Sequence, residues 1–372
     1  MGNKTKEGTM NTTGVENLRR LGGLTAIALL GLSCAAGFGW RGLEHSLWYS
    51  VIASLLLCVG LFMAVFGIDR QEAKQEWRLV VIAVTLGVLC KYALIFGGLY
   101  LAIHQWQYAV LSMAMAQIDP LSVAALAGDE RMTPRTKTVL AMWASFDDPM
   151  TALATPLIVG IATSVANIHL AASQTGVATV YGLVLLTAAT AALVCLRYRR
   201  GRQLAELLTE KQRKTGTLSA IAVGTATRLY SVPAIAGLVF RPQWLNRGRR
   251  VDIITNIALC GATFLLGILL AGGVDWRGGI LLGCMTFCSQ IVVTWLVLWV
   301  AARLSPQGGK SFTKRDGWHL ALAQQNGITA IVLALNLEPQ ISGAIASISL
   351  AIVTVNLLHF VVNWAYDRHF DN

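Results

Sequence analysis

The chain has 372 residues, 55% hydrophobic and only 13% charged, where a soluble protein carries about 25% charged, and its mean hydropathy is +0.58. That deficit excludes an ordinary water-soluble enzyme and a disordered chain. The net charge of +11 sits in short loops, with no basic stripe interleaved with aromatics, so it reads as a topology signal and not as a nucleic-acid footprint.

In chain order, the first 20 residues are polar and read as a cytoplasmic tail. Arg19-Arg20 ahead of 21–39 mimics a signal peptide, but the many spans that follow favour a signal anchor or first helix. Apolar blocks near the roughly 20 residues a bilayer requires occupy about 22–39, 46–67, 79–102, 106–126, 138–163, 177–196, 251–272, 278–302, 318–336 and 341–365. A weaker stretch, 216–240, contains Arg228 and Pro233. All seven cysteines lie inside apolar segments and read as small packing residues.

Loop charge sets the orientation. The N-terminal tail, 68–78, 128–137, 197–215, 241–250 and 303–317 are rich in Lys and Arg and are placed in the cytoplasm; 103–107 and 164–176 carry none. Both flanks of 216–240 then share one side. The stretch crosses twice, as helices of about 213–230 and 231–241 hinged near Ser231-Val232-Pro233, or not at all. Twelve segments with both ends inside result, or ten crossings if the hairpin is re-entrant. The expected organisation is a cytoplasmic tail (1–20), a first half (21–196, with repeat helices 79–163 and a linker helix 177–196), a second half (213–365, with repeat helices 278–365) and a short C-terminal tail (366–372). No regulatory domain is expected after the last helix.

With an even count, 79–163 and 278–365 run in opposite directions through the membrane, and the middle helix of each looks broken. In 106–126 the breaker is Asp119-Pro120, since proline removes a backbone bond and clashes with the preceding turn. In 318–336 it is the polar run Gln324-Gln325-Asn326-Gly327. Paired, opposed interruptions near the midplane are the mark of secondary transporters, because freed backbone groups and helix ends form an ion site there.

Four charges fall in mid-span: Asp147, Asp148, Asp119 and Lys91. Each costs roughly 2.5–3.5 kcal/mol at a helix centre, so retaining them points to function, with a structural ion pair as the alternative. Adjacent aspartates point about 100° apart, so both border one cavity while one faces its centre. Such a carboxylate holds either a proton or a hard cation, which prefers oxygen ligands. Mutual exclusion at one carboxylate suffices for coupled exchange. Paired aspartates also serve metal-dependent membrane enzymes, but these need a second acidic cluster, and the sequence shows none.

These residues resemble the cation:proton antiporter superfamily, the sodium/proton exchangers and their potassium-exchanging relatives. Gly67-Ile68-Asp69 resembles the ending of its second segment, Ile118-Asp119-Pro120 its Thr-Asp-Pro helix break, and Met132-Thr133-Pro134-Arg135 the cytoplasmic turn after it. Phe146-Asp147-Asp148 stands where the family has Asn-Asp or Asp-Asp. Ser231–Val239 looks like its short eighth helix, Phe264-Leu265-Leu266-Gly267 like the next helix's Phe-Phe-x-x-Gly run, and Gly327-Ile328-Thr329-Ala330 lies at the second crossover. The resemblance covers about residues 45–365.

The resemblance implies an all-α polytopic membrane protein with an inverted-repeat, sodium/proton antiporter-like fold and two broken, crossing helices. It implies that Asp148 binds the cation and proton, that Asp147 pairs with a basic residue, and that Asp119 lines the crossing; Asp148 and Asp119 would meet the monovalent metal ion. The supporting polar or charged residues are Lys91, Gln117, Ser145, Gln290, Gln325, Asn326 and Thr329. The family's electrogenic members carry a lysine on the first helix of the second repeat, but 278–302 has no internal charge and holds Ser289-Gln290 there. Lys91, on the pseudo-symmetric helix 79–102, is the candidate substitute; its alternative is a snorkelling residue. His359 reads as a packed, hydrogen-bonded residue. No cofactor is expected. The expected cargo is Na+, with Li+ or K+ as alternatives, exchanged for H+ across the plasma or inner membrane by a homodimer in the lipid bilayer with both termini cytoplasmic. The alternatives are a sodium-coupled organic-anion symporter of related fold and a metal-dependent enzyme built on Asp147-Asp148.

Overall fold

The computed structural model describes residues 4–370 except 41, 44–45, 67–69, 127–131, 167–208, 228–229, 241, 246–247, 305–311 and 339–340. The linker helix expected at 177–196, Gly67-Ile68-Asp69 and Arg228 lie outside the described residues. Among those described the chain is helical, without strands.

In order, the helices are α1 (Lys4–Gly37), α2 (Leu47–Phe66), α3 (Arg70–Ile82), α4 (Val88–Ile103), α5 (Gln107–Met115), α6 (Pro120–Ala125), α7 (Pro134–Ala166), α8 (Glu210–Thr227), α9 (Ser231–Val239), α10 (Gly248–Ala271), α11 (Trp276–Leu304), α12 (Lys314–Ala321), α13 (Ile328–Leu337) and α14 (Ala344–Phe370). A π-turn, Ala83–Gly87, joins α3 to α4. Helices spanning Leu47–Phe66, Gln75–Ile103, Arg250–Ala271, Trp276–Leu304 and Ala344–Arg368 are long and apolar enough to cross a bilayer.

Among the described residues each expected block is helical, and the ends differ informatively. Helix α1 begins at Lys4, inside the stretch read as a polar tail, and α14 runs to Phe370, through most of the expected tail 366–372. A helix satisfies its own backbone, so it continues past the apolar window into polar residues until something stops it. The weak stretch 216–240 is two helices, α8 and α9, as the hinge suggested. The nine residues of α9 extend about 13 Å, well short of the roughly 30 Å hydrocarbon core, so α9 cannot cross alone.

Small residues set the packing. A Cβ at Gly31 would strike the Phe264 carbonyl and one at Gly267 the Ala28 carbonyl, so α1 and α10 touch backbone to backbone through reciprocal glycines. Gly279 and Gly283, one turn apart on α11, do the same for α14: a Cβ at Gly283 would lie 2.6 Å from Thr354 Cβ and 2.9 Å from the Ala351 carbonyl. Such small-xxx-small surfaces are what helices use where lipid gives no hydrophobic drive to associate. Helix α2 packs on α9, α10, α6 and α13, between α1/α8–α10 and the two three-helix repeats α3–α7 and α11–α14. The six described cysteines are free.

Candidate functional site

Both broken helices break for a stated local reason. Asp119 is the N-cap of α6 and Pro120 its first residue, where a missing N–H costs nothing and the fixed φ suits a helix start. Its Oδ2 accepts from Ser122 N (2.8 Å) and Ser122 Oγ (2.7 Å). In the other repeat α13 starts after Gly327, which has no side chain to cap with. Asp119 Oδ1 takes over that duty, accepting from Thr329 N at 3.5 Å. One fully buried carboxylate therefore faces the positive N-terminal ends of two half-helices from opposite repeats. The chains also meet main chain to main chain, with Asp119 N donating to the Gln325 carbonyl (2.9 Å).

The carbonyl ends freed by each break are matched by amides. Gln324 Nε2 donates to the Gln117 carbonyl (2.8 Å) and to Asn326 Oδ1 (2.6 Å), and Asn326 Nδ2 donates to the carbonyls of Gln117 (3.1 Å) and Met115 (3.2 Å). Thr151 on α7 donates to Gln117 Oε1 (2.7 Å). Asn356 on α14 holds the backbone of Asn326 from both sides, accepting from its N–H (3.2 Å) and donating to its carbonyl (2.8 Å).

Lys91 is fully buried on α4. Its Nζ donates to Gln324 Oε1 at 2.8 Å, so the first helix of one repeat reaches the break of the other. Asp147 is equally buried on α7, and neither of its oxygens has a hydrogen-bond partner among the described residues. Ile118 N and Trp143 Nε1 lie near it outside hydrogen-bond geometry, and the Lys91 charge acts on it. A buried ammonium and a buried, open carboxylate thus face one interior.

Asp119, Gln117, Gln325, Asn326 and Thr329 are gathered at the crossing, and Lys91 reaches it through Gln324, which the sequence marked only as part of the polar run that breaks the helix. Ser145 donates to Ala141 O (2.6 Å) within its own helix, and Gln290 to Thr294 Oγ1 (3.1 Å) and the Leu320 carbonyl (3.2 Å) at the end of α12. The Asp148 backbone is helical, and its side chain lies outside the described residues. Among the described residues no group of three or more His, Cys, Asp or Glu is placed to hold a metal ion.

Two opposed half-helix pairs crossing around buried charges define a secondary transporter of the inverted-repeat class. A family model described as "Sodium/hydrogen exchanger, transmembrane" matches residues 11–237, more than half of the chain. The chain belongs to the sodium/hydrogen exchanger family: a multi-pass membrane antiporter of cations and protons, and not an enzyme. It is similar in fold to the sodium proton antiporter MjNhaP1 from Methanocaldococcus jannaschii, with a TM-score of 0.64 at 14% identity over 98% of this chain and 97% of that one. No curated protein matches it.

Proposed function

We propose that the protein exchanges a monovalent cation for protons by alternating access, with cation and proton competing at Asp148. The observation that supports this most is the crossing itself. The described carboxylate there, Asp119, has its oxygens committed to Ser122 and Thr329. It neutralises helix ends and is a poor carrier, which leaves the adjacent pair on α7 for the exchange chemistry. Of that pair Asp147 shares its interior with Lys91 and Asp148 is the carrier. When Lys91 pairs with an ionised Asp147 in one state and rests on Gln324 while Asp147 takes a proton from the exposed side in the other, the net charge beside the ion changes with occupancy.

The repeats 79–163 and 278–365 form the moving core, and α1, α2 and α8–α10 the panel it moves against. That panel also carries the homodimer contact in the lipid bilayer of the plasma or inner membrane, with both termini cytoplasmic. Na+ is the cation proposed, with Li+ or K+ as alternatives. They are cargo, and no resident cofactor is involved.

The test is transport in proteoliposomes with an imposed pH gradient. Each cation is added in turn, with and without a potential clamp, to the parent and to Asp148→Asn. The parent is expected to collapse the gradient on addition of sodium, and Asp148→Asn is not, while keeping its unfolding temperature, since removing a charge from an apolar span lowers the cost of desolvation. Exchange by Asp148→Asn at near-normal rates assigns the carrier elsewhere.

A further inference from the structure

The crossing leaves one buried imidazole unaccounted for. His359 lies on α14, the third helix of the second repeat, and α14 stands to its break as α7, with the aspartate pair, stands to the first. Its Nδ1 is 2.7 Å from the Leu322 carbonyl and its Nε2 is 3.0 Å from Gln325 Nε2. A carbonyl only accepts, so Nδ1 carries the hydrogen, and in the neutral ring Nε2 is the acceptor for the Gln325 amide. Leu322 is where α12 ends, so its carbonyl is one that the break set free. Asn363, one turn on, donates to the same carbonyl at 3.0 Å. The side chain that His359 orients belongs to the residue whose main-chain carbonyl receives Asp119 N–H.

From this chain of contacts we propose that His359 is a positioning residue for exchange. Through Gln325 it fixes the point at which the two breaks touch, and so the placement of the Asp119 carboxylate between the two helix ends. It touches neither cation nor transported proton. A residue buried to 7% exposure with both ring nitrogens engaged sets geometry where a bulky apolar residue of similar size would only fill space. The effect falls on cation affinity: a displaced Asp119 changes the field at the crossing in every state, while the moving parts of the cycle keep their contacts.

The proposal rests on the ion site lying at this crossing, and its readout is kept separate from the choice of carrier. Sodium-dependent collapse of a pH gradient in proteoliposomes is measured as KM and Vmax for the parent, His359→Leu, His359→Gln, Gln325→Leu and His359→Leu/Gln325→Leu, with the unfolding temperature of each. His359→Leu is expected to raise the sodium KM about tenfold, the scale set by one buried polar group left unsatisfied, with Vmax within about twofold. His359→Gln, whose amide both donates and accepts, recovers most of that loss. The double variant is no worse than the worse single one, because the two residues act in series. The proposal is overturned by an unchanged KM in His359→Leu, by equal KM values in the Leu and Gln variants, or by KM effects that multiply in the double variant. Should His359→Leu not fold, Gln325→Leu carries the test alone: it keeps the imidazole's bond to Leu322, and an unchanged KM overturns the proposal. The comparison is a ratio to the parent, so it reads the same if Asp148→Asn shows the carrier to be another carboxylate.

Discussion

Placing a methyl group at Gly327 tests the crossing most directly. A Cβ there would sit 2.9 Å from Asp119 Cγ and Oδ2 and 3.2 Å from Oδ1, where ordinary contact is about 3.5 Å. The carboxyl must retreat by roughly half an ångström from positions held by Ser122 N and Oγ at 2.8 and 2.7 Å. Losing that cap costs about 1 kcal/mol, and overpacking a close-packed site adds about 1–3 kcal/mol. Gly327→Ala should therefore lose about 2–4 kcal/mol of stability in denaturant unfolding, and its sodium-dependent collapse of a pH gradient should weaken with it. Gly97→Ala is the control: no atom lies within 4 Å of a Cβ at that position in α4, so the change should be neutral or stabilise by up to about 1 kcal/mol. Parent-like stability and transport in Gly327→Ala, or an equal loss in Gly97→Ala, would refute the reasoning.

Lys91→Met should cost about 3–5 kcal/mol by leaving Asp147 uncompensated. Adding Asp147→Asn should recover much of it, whereas simple additivity in unfolding would show the two charges to be independent. Exchange by Lys91→Gln should lose most of its dependence on membrane potential, which a clamp measures; an unchanged dependence makes Lys91 structural. Gly283→Leu should separate α11 from α14, since Thr354 Cβ lies 2.6 Å from the added atom, and lower the unfolding temperature more than the same change at Gly97. Asp275 lies just outside the span that begins at Trp276. Partial burial raises its carboxyl, but hydrogen bonds from Gly278 N, Ser347, Tyr108 and Arg277 N outweigh that and hold it below the ordinary 3.8. A carboxylate depressed in the folded state stabilises fully above 3.8, and the contribution drains away as pH falls through the folded value. Asp275→Asn should therefore flatten the acid limb of stability, and an unchanged limb refutes the assignment.

Much of this architecture was legible in the sequence because it is written in backbone chemistry. Asp119-Pro120 followed by Ser122 is a helix start wherever it occurs, and a helix start inside an apolar block can only be a break. The hinge before Pro233 gave α8 and α9. What escaped was pairwise and long-range. Gln324 carries the same local signal as Gln325 and Asn326, and only the folded chain shows that it bridges Lys91, 233 residues away, to Gln117. Asp119's service to α13 was hidden for the same reason, since the cue is the absence of a side chain at Gly327. The glycines that seat α14 on α11 look like those that touch nothing. Helix ends misled in the other direction: hydropathy marks the apolar window, while α1 and α14 run on into polar residues.

The carboxylate of Asp119 is a keystone with one foot on each half of an arch. Sliding one repeat past the other would uncover two helix dipoles in oil at once, so the softer motion is for both repeats to travel together. If the proposed alternating access carries the site as one solid piece, each turnover sweeps a large protein surface past acyl chains. Turnover should then answer to the thickness and viscosity of the surrounding lipid while the selectivity among cations, set inside the rigid piece, stays as it was.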